Sequence, residues 1–288
     1  MSNNIMGYGD DIMITAHATN LKKKFPERQI VIGNIKKKEA YHSVVYDNNP
    51  NIADCRNVDL KKPIHIIDYH EGNRPYIDYK KSLSSKKYIW NKNFKPTPGE
   101  LYFTKDENTN ADEVIDKAHK FWQKNHKQKA KKIIFVETSS TKIDDYQYSI
   151  KHKNKDWGHS NWINLINQIK DKYLIIQSVH EKSTKIDGVY SDLKINFRLA
   201  CAVINKCDLY VGPEGGFGHV AAALKKNAVI YFGGWISPNV IGYDSHYNIY
   251  YDHKDSPCGE FKKLCSHCEK ARKNIKVDTF REYIEKAL

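Results

Sequence analysis

DLYVGPEGGFGHVAAALKKNAVIYFGG, Asp208 to Gly234, is the stretch whose reading decides the fold. Leu209-Tyr210-Val211 is an apolar run closed by Gly212-Pro213. Glu214-Gly215-Gly216-Phe217-Gly218-His219 follows, then a small-residue helix predicted over Val220 to Lys225. A second apolar strand, Ala228 to Phe232, ends at Gly233-Gly234. Strand, glycine turn, helix, strand is the building unit of a parallel α/β sheet. Glycine lets the backbone approach a ligand closely. A helix that opens directly after such a turn aims free N–H groups and its positive dipole end at that ligand. Phosphates suit this place. A tight βα turn that only packs well has the same pattern, and a lone glycine-rich turn does not separate the two.

The residues before this stretch repeat the theme. Ile133-Ile134-Phe135-Val136 is a strand followed by the hydroxyl-rich turn Glu137-Thr138-Ser139-Ser140. A loop runs from Lys142 to Lys153, and Lys155-Asp156-Trp157 precedes a helix from Ser160 to Asp171, with Ser160 as its cap. Trp162, Leu165, Ile166 and Ile169 recur in it at helical spacing. Tyr173 to Gln177 is a strand ending in Ser178-Val179-His180-Glu181, and Asn196 to Asn205 is a helix. Ligands of such sheets sit off the carboxyl ends of the strands. Three strand ends therefore carry groups suited to a nucleotide: Thr138/Ser139, His180-Glu181 and Glu214 to Gly216.

The first half is less regular. Gly7 and Gly9 make a turn, and Asp10 and Asp11 fall where a helix begins, which favours acids. Ile12, Ala16, Ala18 and Leu21 give that helix an apolar side, and it ends near Phe25-Pro26. Asp10 reads equally as a helix cap and as a catalytic acid. Gln29 to Gly33 and His65 to Tyr69 are strands, Leu101-Tyr102-Phe103 is a further one, and Ala111 to Asn125 is a helix. The basic connector HKQKAKK, His126 to Lys132, marks a boundary. The expected units are 1–128, 129–274 and a closing helix within 275–288.

Composition narrows the function. The chain has 288 residues, 40% of them apolar, enough for two ordinary domains. No run approaches the ~18 apolar residues of a membrane span. The start, MSNNIMGYGDD, lacks the pattern of a secretory signal, so a cytoplasmic location is expected, with any membrane association peripheral. The net charge is +13. The lysines are spread along the chain and no nucleic-acid motif accompanies them, so nucleic acid is not the expected partner; anionic small molecules are. Six cysteines without a signal read as thiols or metal ligands. Cys258, Cys265 and Cys268, with His253 and His267 nearby, are candidates for a structural zinc or iron site, with reduced thiols as the alternative. Cys55, Cys201 and Cys207 are scattered.

Together these motifs resemble glycosyltransferase family 9, the bacterial lipopolysaccharide heptosyltransferases. Gly9-Asp10 with its helix is similar to the family's N-terminal loop. Lys155-Asp156-Trp157 with Trp162 and Leu165 is similar to its lysine–x–tryptophan motif. Glu214-Gly215-Gly216 with His219 and Ala221-Ala222 is similar to its acidic–x–Gly–x–x–His–x–x–Ala signature. The resemblance implies an α/β GT-B fold, two Rossmann-like domains facing across a cleft, with the closing helix returning to the first. It implies inverting, metal-independent transfer of a heptose or other sugar from a nucleotide-diphosphate-sugar to a glycan, lipopolysaccharide-type or other hydroxyl acceptor, with no cofactor required. By the same resemblance Asp10 is the general base and Lys155 stabilises the departing diphosphate. Thr138, Ser139, Glu181, Glu214, Gly215, Gly216 and His219 face the donor, while Gly9 and Asp11 lie on the acceptor-side loop. Asp11 is an alternative base. Glu214 departs from the family's usual aspartate. A non-catalytic nucleotide-sugar-binding protein, or another GT-B enzyme such as a nucleotide-sugar epimerase, stays open as an alternative.

Overall fold

The computed structural model describes residues 6–85, 87–128, 130–138, 153–180, 183–260 and 265–288. Its helices are α1 (Tyr8–Lys24), α2 (Tyr79–Ser85), α3 (Lys105–Gln123), α4 (His159–Ile169), α5 (Phe197–Lys206), α6 (Gly216–Ala223), α7 (Pro238–Ile241), α8 (Ser266–Asn274) and α9 (Val277–Ala287). Its strands are β1 (Gln29–Asn34), β2 (Glu39–Ala40), β3 (Ile64–Asp68), β4 (Ile133–Val136), β5 (Leu174–Gln177), β6 (Leu209–Pro213), β7 (Asn227–Gly233) and β8 (Tyr247–Tyr250).

Five strands form one parallel sheet in the order β5-β4-β6-β7-β8. Residues 133–136 and 174–177 are buried throughout, as continuous apolar runs covered on both faces require. The chain leaves β4 toward β5 and then crosses to β6 on β4's other side. The strand order reverses between β4 and β6, and the crevice at such a reversal is where α/β sheets bind ligands. The turns after β4 and β6 carry Thr138 and Glu214 to Gly216, so topology puts two of the expected donor turns at one point.

The first sheet is smaller. Among the described residues it has three strands in the order β2-β1-β3. β1 and β3 run parallel, with Gln29 opposite Ile64 and Gly33 opposite Asp68, while β2 is an antiparallel edge. Residues 101–103, expected as a strand, are not one. They are held by side chains instead: the Glu100 amide donates to Thr15 Oγ1, and Arg198 reaches the Tyr102 carbonyl. Residues 79–85 form a further helix, α2.

Several helices depart from expectation in start or docking. α3 begins six residues early, at Lys105, because Thr104 and Glu107 form a reciprocal capping box. Its main packing partner is α5, so it lies against the helices of the larger sheet. Glu107 and Arg198 pair across this contact. α4 begins at His159 with Gly158 as its cap, leaving Ser160 inside the first turn. α6 begins at Gly216, inside the glycine turn, not at Val220.

The closing helix α9 was expected to return toward the first domain. Its main partners are α4, β6, β7 and β8, all on the larger sheet. Aromatic packing explains this. Phe280 is fully buried, stacks on Trp157 at 4.3 Å and meets Trp162 edge-on at 5.5 Å. Trp157 in turn donates its indole N–H to the Ile275 carbonyl. Phe280→Ala is expected to lower stability by about 3–5 kcal/mol. Denaturant midpoints of the two proteins check this, and a loss below about 1 kcal/mol would contradict the packing account.

Candidate active site

Two walls meet where α1 and α6 begin. A Cβ added to Gly9 would lie 2.8 Å from His219 Cδ2 and 3.4 Å from the Gly216 Cα. Only a residue without a side chain lets the first loop approach the glycine turn this closely. On one flank Tyr8 stacks on Phe197 at 3.9 Å, and Phe197 stacks on Phe217 at 5.2 Å. On another, Trp90 meets Trp235 edge-on at 4.9 Å and donates its indole N–H to the Trp235 carbonyl.

Asp10 is buried on the first wall. Tyr76 and Tyr69 donate their hydroxyls to its Oδ1 at 2.8 and 3.2 Å, and Arg74 Nε lies 3.1 Å from its Oδ2. The two tyrosine hydroxyls hold Oδ1 by hydrogen bonds, and the Arg74 charge lies against Oδ2 as an ion pair. Sequence reading did not single out any of the three. Tyr69 sits directly after β3, a position the strand pattern marks, whereas Arg74 and Tyr76 come from a loop and reach Asp10 only through the fold. Asp11 is separately engaged. Ser43 and Tyr46 donate to its two oxygens at 2.7 and 3.1 Å, and it is 1% exposed. These contacts hold Asp11 beside Asp10 on the first wall.

The second wall carries Lys155, Glu214 and His219. Lys155 ends a short turn, residues 153–155, ahead of Trp157. Its Nζ lies 2.6 Å from Glu214 Oε2 and 4.7 Å from the centre of the Trp235 ring. Glu214 is 5% exposed, and its amide donates to the Tyr231 carbonyl. Such a pair needs excellent geometry, because both charges leave water. Trp235 is a fourth residue that sequence reading missed, since its ring reaches Lys155 only in space. α6 follows with Gly215 as its cap and no side-chain capping bond, so its first amides face the turn. His219 is 5% exposed, with Nδ1 2.8 Å from the Tyr243 hydroxyl. Burial pulls its pKa down to about 4, and the Lys155 charge acts in the same direction, while Asp10 opposes them. His219 thus feels charges from both walls. Thr138 is buried at the end of β4. Ser139 and Glu181, also expected at this site, lie outside the described residues. A separate cavity of about 430 Å³, lined by Tyr41, His42, Asp47 and Asp54 among others, includes neither Asp10 nor Lys155.

The tail brings the three expected thiols together. Cys258 Sγ lies 3.4 Å from Cys268 Sγ and 3.6 Å from Cys265 Sγ. Hydrogen bonding from Cys268 lowers the Cys258 pKa, and burial raises that of Cys265. Cys201 and Cys207 are buried in the core, where burial pushes their thiols up. His253 and His267 do not join the thiols; with Asp255 they form a second group.

A five-stranded parallel sheet with a strand-order reversal, facing a smaller α/β unit, is the architecture of the GT-B fold. The chain superposes on the iron-containing dodecameric glycosyltransferase TibC of enterotoxigenic Escherichia coli H10407 with a TM-score of 0.62, 13% identity, and coverage of 99% of this chain and 74% of that one. For a family 9 glycosyl transferase of Veillonella parvula DSM 2008 the TM-score is 0.57, with 12% identity and 99% and 95% coverage. For the E. coli ADP-heptose lipopolysaccharide heptosyltransferase II it is 0.56, with 12% identity and 99% and 97% coverage. No curated protein sequence matches the chain. The model of glycosyltransferase family 9 (heptosyltransferase) matches residues 68–269, and the chain belongs to that family.

His219 and His246 are both pulled down to about 4 by burial. An unfolded histidine titrates near ~6.5. Their contribution to stability is therefore complete above that value and is lost as pH falls toward about 4, by up to roughly 1.4 kcal/mol per pH unit for each. Urea midpoints of wild type and His219→Gln between pH 7 and 5 should show a shallower acid loss in the variant. Identical slopes would contradict a neutral buried His219.

Proposed function

We propose that the chain transfers a sugar from a nucleotide-diphosphate-sugar to a hydroxyl acceptor with inversion at the anomeric carbon. The observation that carries this reading is the apposition of the Gly9-Asp10 loop to the turn that holds His219, Gly216 and the Lys155–Glu214 pair. Inversion requires a base on the face opposite the leaving group. Asp10 stands on the first wall, oriented by Arg74 and two tyrosines, and takes the acceptor hydroxyl's proton. The departing diphosphate gathers negative charge on the second wall. Lys155 and the first amides of α6 stabilise it there, as preorganised donors in a site shielded from water. A bound diphosphate competes with Glu214 for Lys155, which frees the Glu214 carboxylate to accept from sugar hydroxyls. Thr138 supplies a hydroxyl at the switch point, and by the family pattern Ser139 and Glu181 join the donor side. Transfer by this arrangement uses no metal.

Heptose is the first donor sugar to test, because a structural neighbour is described as an ADP-heptose lipopolysaccharide heptosyltransferase. The proposed acceptor is a glycan, and the proposed domain division is 1–128 and 129–274 with the closing segment 275–288. The proposed location is cytoplasmic; no described helix is long and apolar enough to cross a membrane. The thiol group fits a soft or borderline cation, zinc or iron, since three sulfur ligands converge and thiolates select these metals. The description of TibC as iron-containing supports iron as a candidate. An ion held there would cross-link Cys258 to the start of α8, beside Asn154, the residue before Lys155.

With ADP-heptose and a glycan acceptor, Asp10→Asn and Lys155→Ala are each expected to lower kcat by about 10²–10⁴-fold. Steady-state rates with circular dichroism as a folding control check this. Wild-type rates in both variants would sink the mechanism.

A further inference from the structure

His253 and His267 read from the sequence as extra ligands for the cysteine site. The structure divides them from it. His253, Asp255 and His267 each offer a ligand atom, and these atoms all lie within 4.8 Å of one another. The three thiols form their own group.

The hydrogen bonds around His267 fix its tautomer. The Ser256 hydroxyl has one proton, and it is given to the Tyr251 carbonyl at 2.6 Å. Toward His267 Nε2, 2.8 Å away, the same oxygen must therefore accept. Nε2 carries the ring proton, and Nδ1 is left with a bare lone pair. His267 is 9% exposed, and Nδ1 is buried with no hydrogen-bond partner among the described residues. A buried acceptor with no donor is costly, so the site calls for something that takes a lone pair. The opposite edge of the ring is closed: a Cβ on Gly234 would come within 2.5 Å of Nε2.

The other two groups are placed to share a ligand. His253 lies parallel to the Tyr251 ring, at 6° and 5.5 Å, and its Nδ1 is 3.4 Å from Asp255 Oδ2. The Asp255 amide makes a long 3.3 Å contact with the same Nδ1, and ligation would displace it. Two imidazoles and a carboxylate suit divalent first-row transition ions. A ligating histidine whose far nitrogen donates to a fixed oxygen, as His267 does to Ser256, is the usual second layer of such a site.

We propose that His253, Asp255 and His267 bind a divalent transition-metal ion in a site separate from the Cys258–Cys265–Cys268 group. The ion ties residues 253–256 to the first turn of α8. The assignment is independent of the glycosyl-transfer reading.

The test uses the full chain, stripped of metal under reducing conditions and titrated with Co²⁺. Wild type is expected to bind two equivalents, one with thiolate charge-transfer absorption and one with only the weak bands of nitrogen and oxygen ligands. The double variant His253→Asn/Asp255→Asn, altered at partly or fully exposed positions, is expected to lose one equivalent and keep the thiolate absorption. The triple variant Cys258→Ser/Cys265→Ser/Cys268→Ser should keep one equivalent without that absorption; if it fails to fold, the double variant carries the test alone. Two equivalents in the His253/Asp255 variant, or a single wild-type equivalent that this variant retains, would overturn the proposal. Absence of thiolate absorption in wild type would sink only the thiol site, since loss of an equivalent in the double variant would still uphold this one.

Discussion

Gly9 and His219 meet with no room for a side chain between them, and the rest of the site depends on that contact. It joins the start of α1 to the start of α6. One wall thereby presents Asp10 and the other presents the glycine turn, with Lys155 and Glu214 beside it. The aromatic stacks of Tyr8 on Phe197 and of Trp90 against Trp235 flank the contact. Arg198 adds a polar tie, reaching the Val44 and Tyr102 carbonyls from α5. Small errors in this approach would move Asp10 and Lys155 relative to one another, and misplacement of about 1 Å in an active site can cost about 100-fold in rate.

Four strands of the larger sheet, β4 to β7, were legible because they are continuous apolar runs, while β8, Tyr247–Tyr250, is a half-buried edge strand that carries no such run. The glycine turn after β6 also read directly as a turn from strand to helix, although α6 starts inside it. The first half was not legible to the same degree. Its strands are few, and residues 101–103 have a strand-like composition that side-chain hydrogen bonds override. Asp10 stood out from its place at a helix start, yet Arg74 and Tyr76 lie more than 60 positions away, and no local pattern links them to it. Trp235 was hidden for the same reason. The docking of α9 was misread because the fate of a terminal helix is set by which aromatic pocket receives Phe280, a tertiary fact.

The cysteine tail is mechanically connected to the site. Trp235 and Asn154 both donate to the Glu260 carbonyl, at 2.9 and 3.3 Å. Asn154 also accepts from the Cys265 amide at 3.0 Å. Asn154 precedes Lys155, and the Trp235 ring underlies the Lys155 ammonium. The Glu260 carbonyl and the Cys265 amide therefore hold both the backbone beside the lysine and its aromatic platform. An ion held by this tail, as proposed, would act on Lys155 through packing, without touching substrate.

The central claim is that a base on one wall works against a leaving group held on the other. The anomeric configuration of the transferred sugar tests it most directly, read by NMR on product made by the wild-type chain from a nucleotide-sugar of known configuration. The account predicts an inverted anomer. A product that retains the donor's configuration would contradict it, because retention places the nucleophile and the departing diphosphate on the same face.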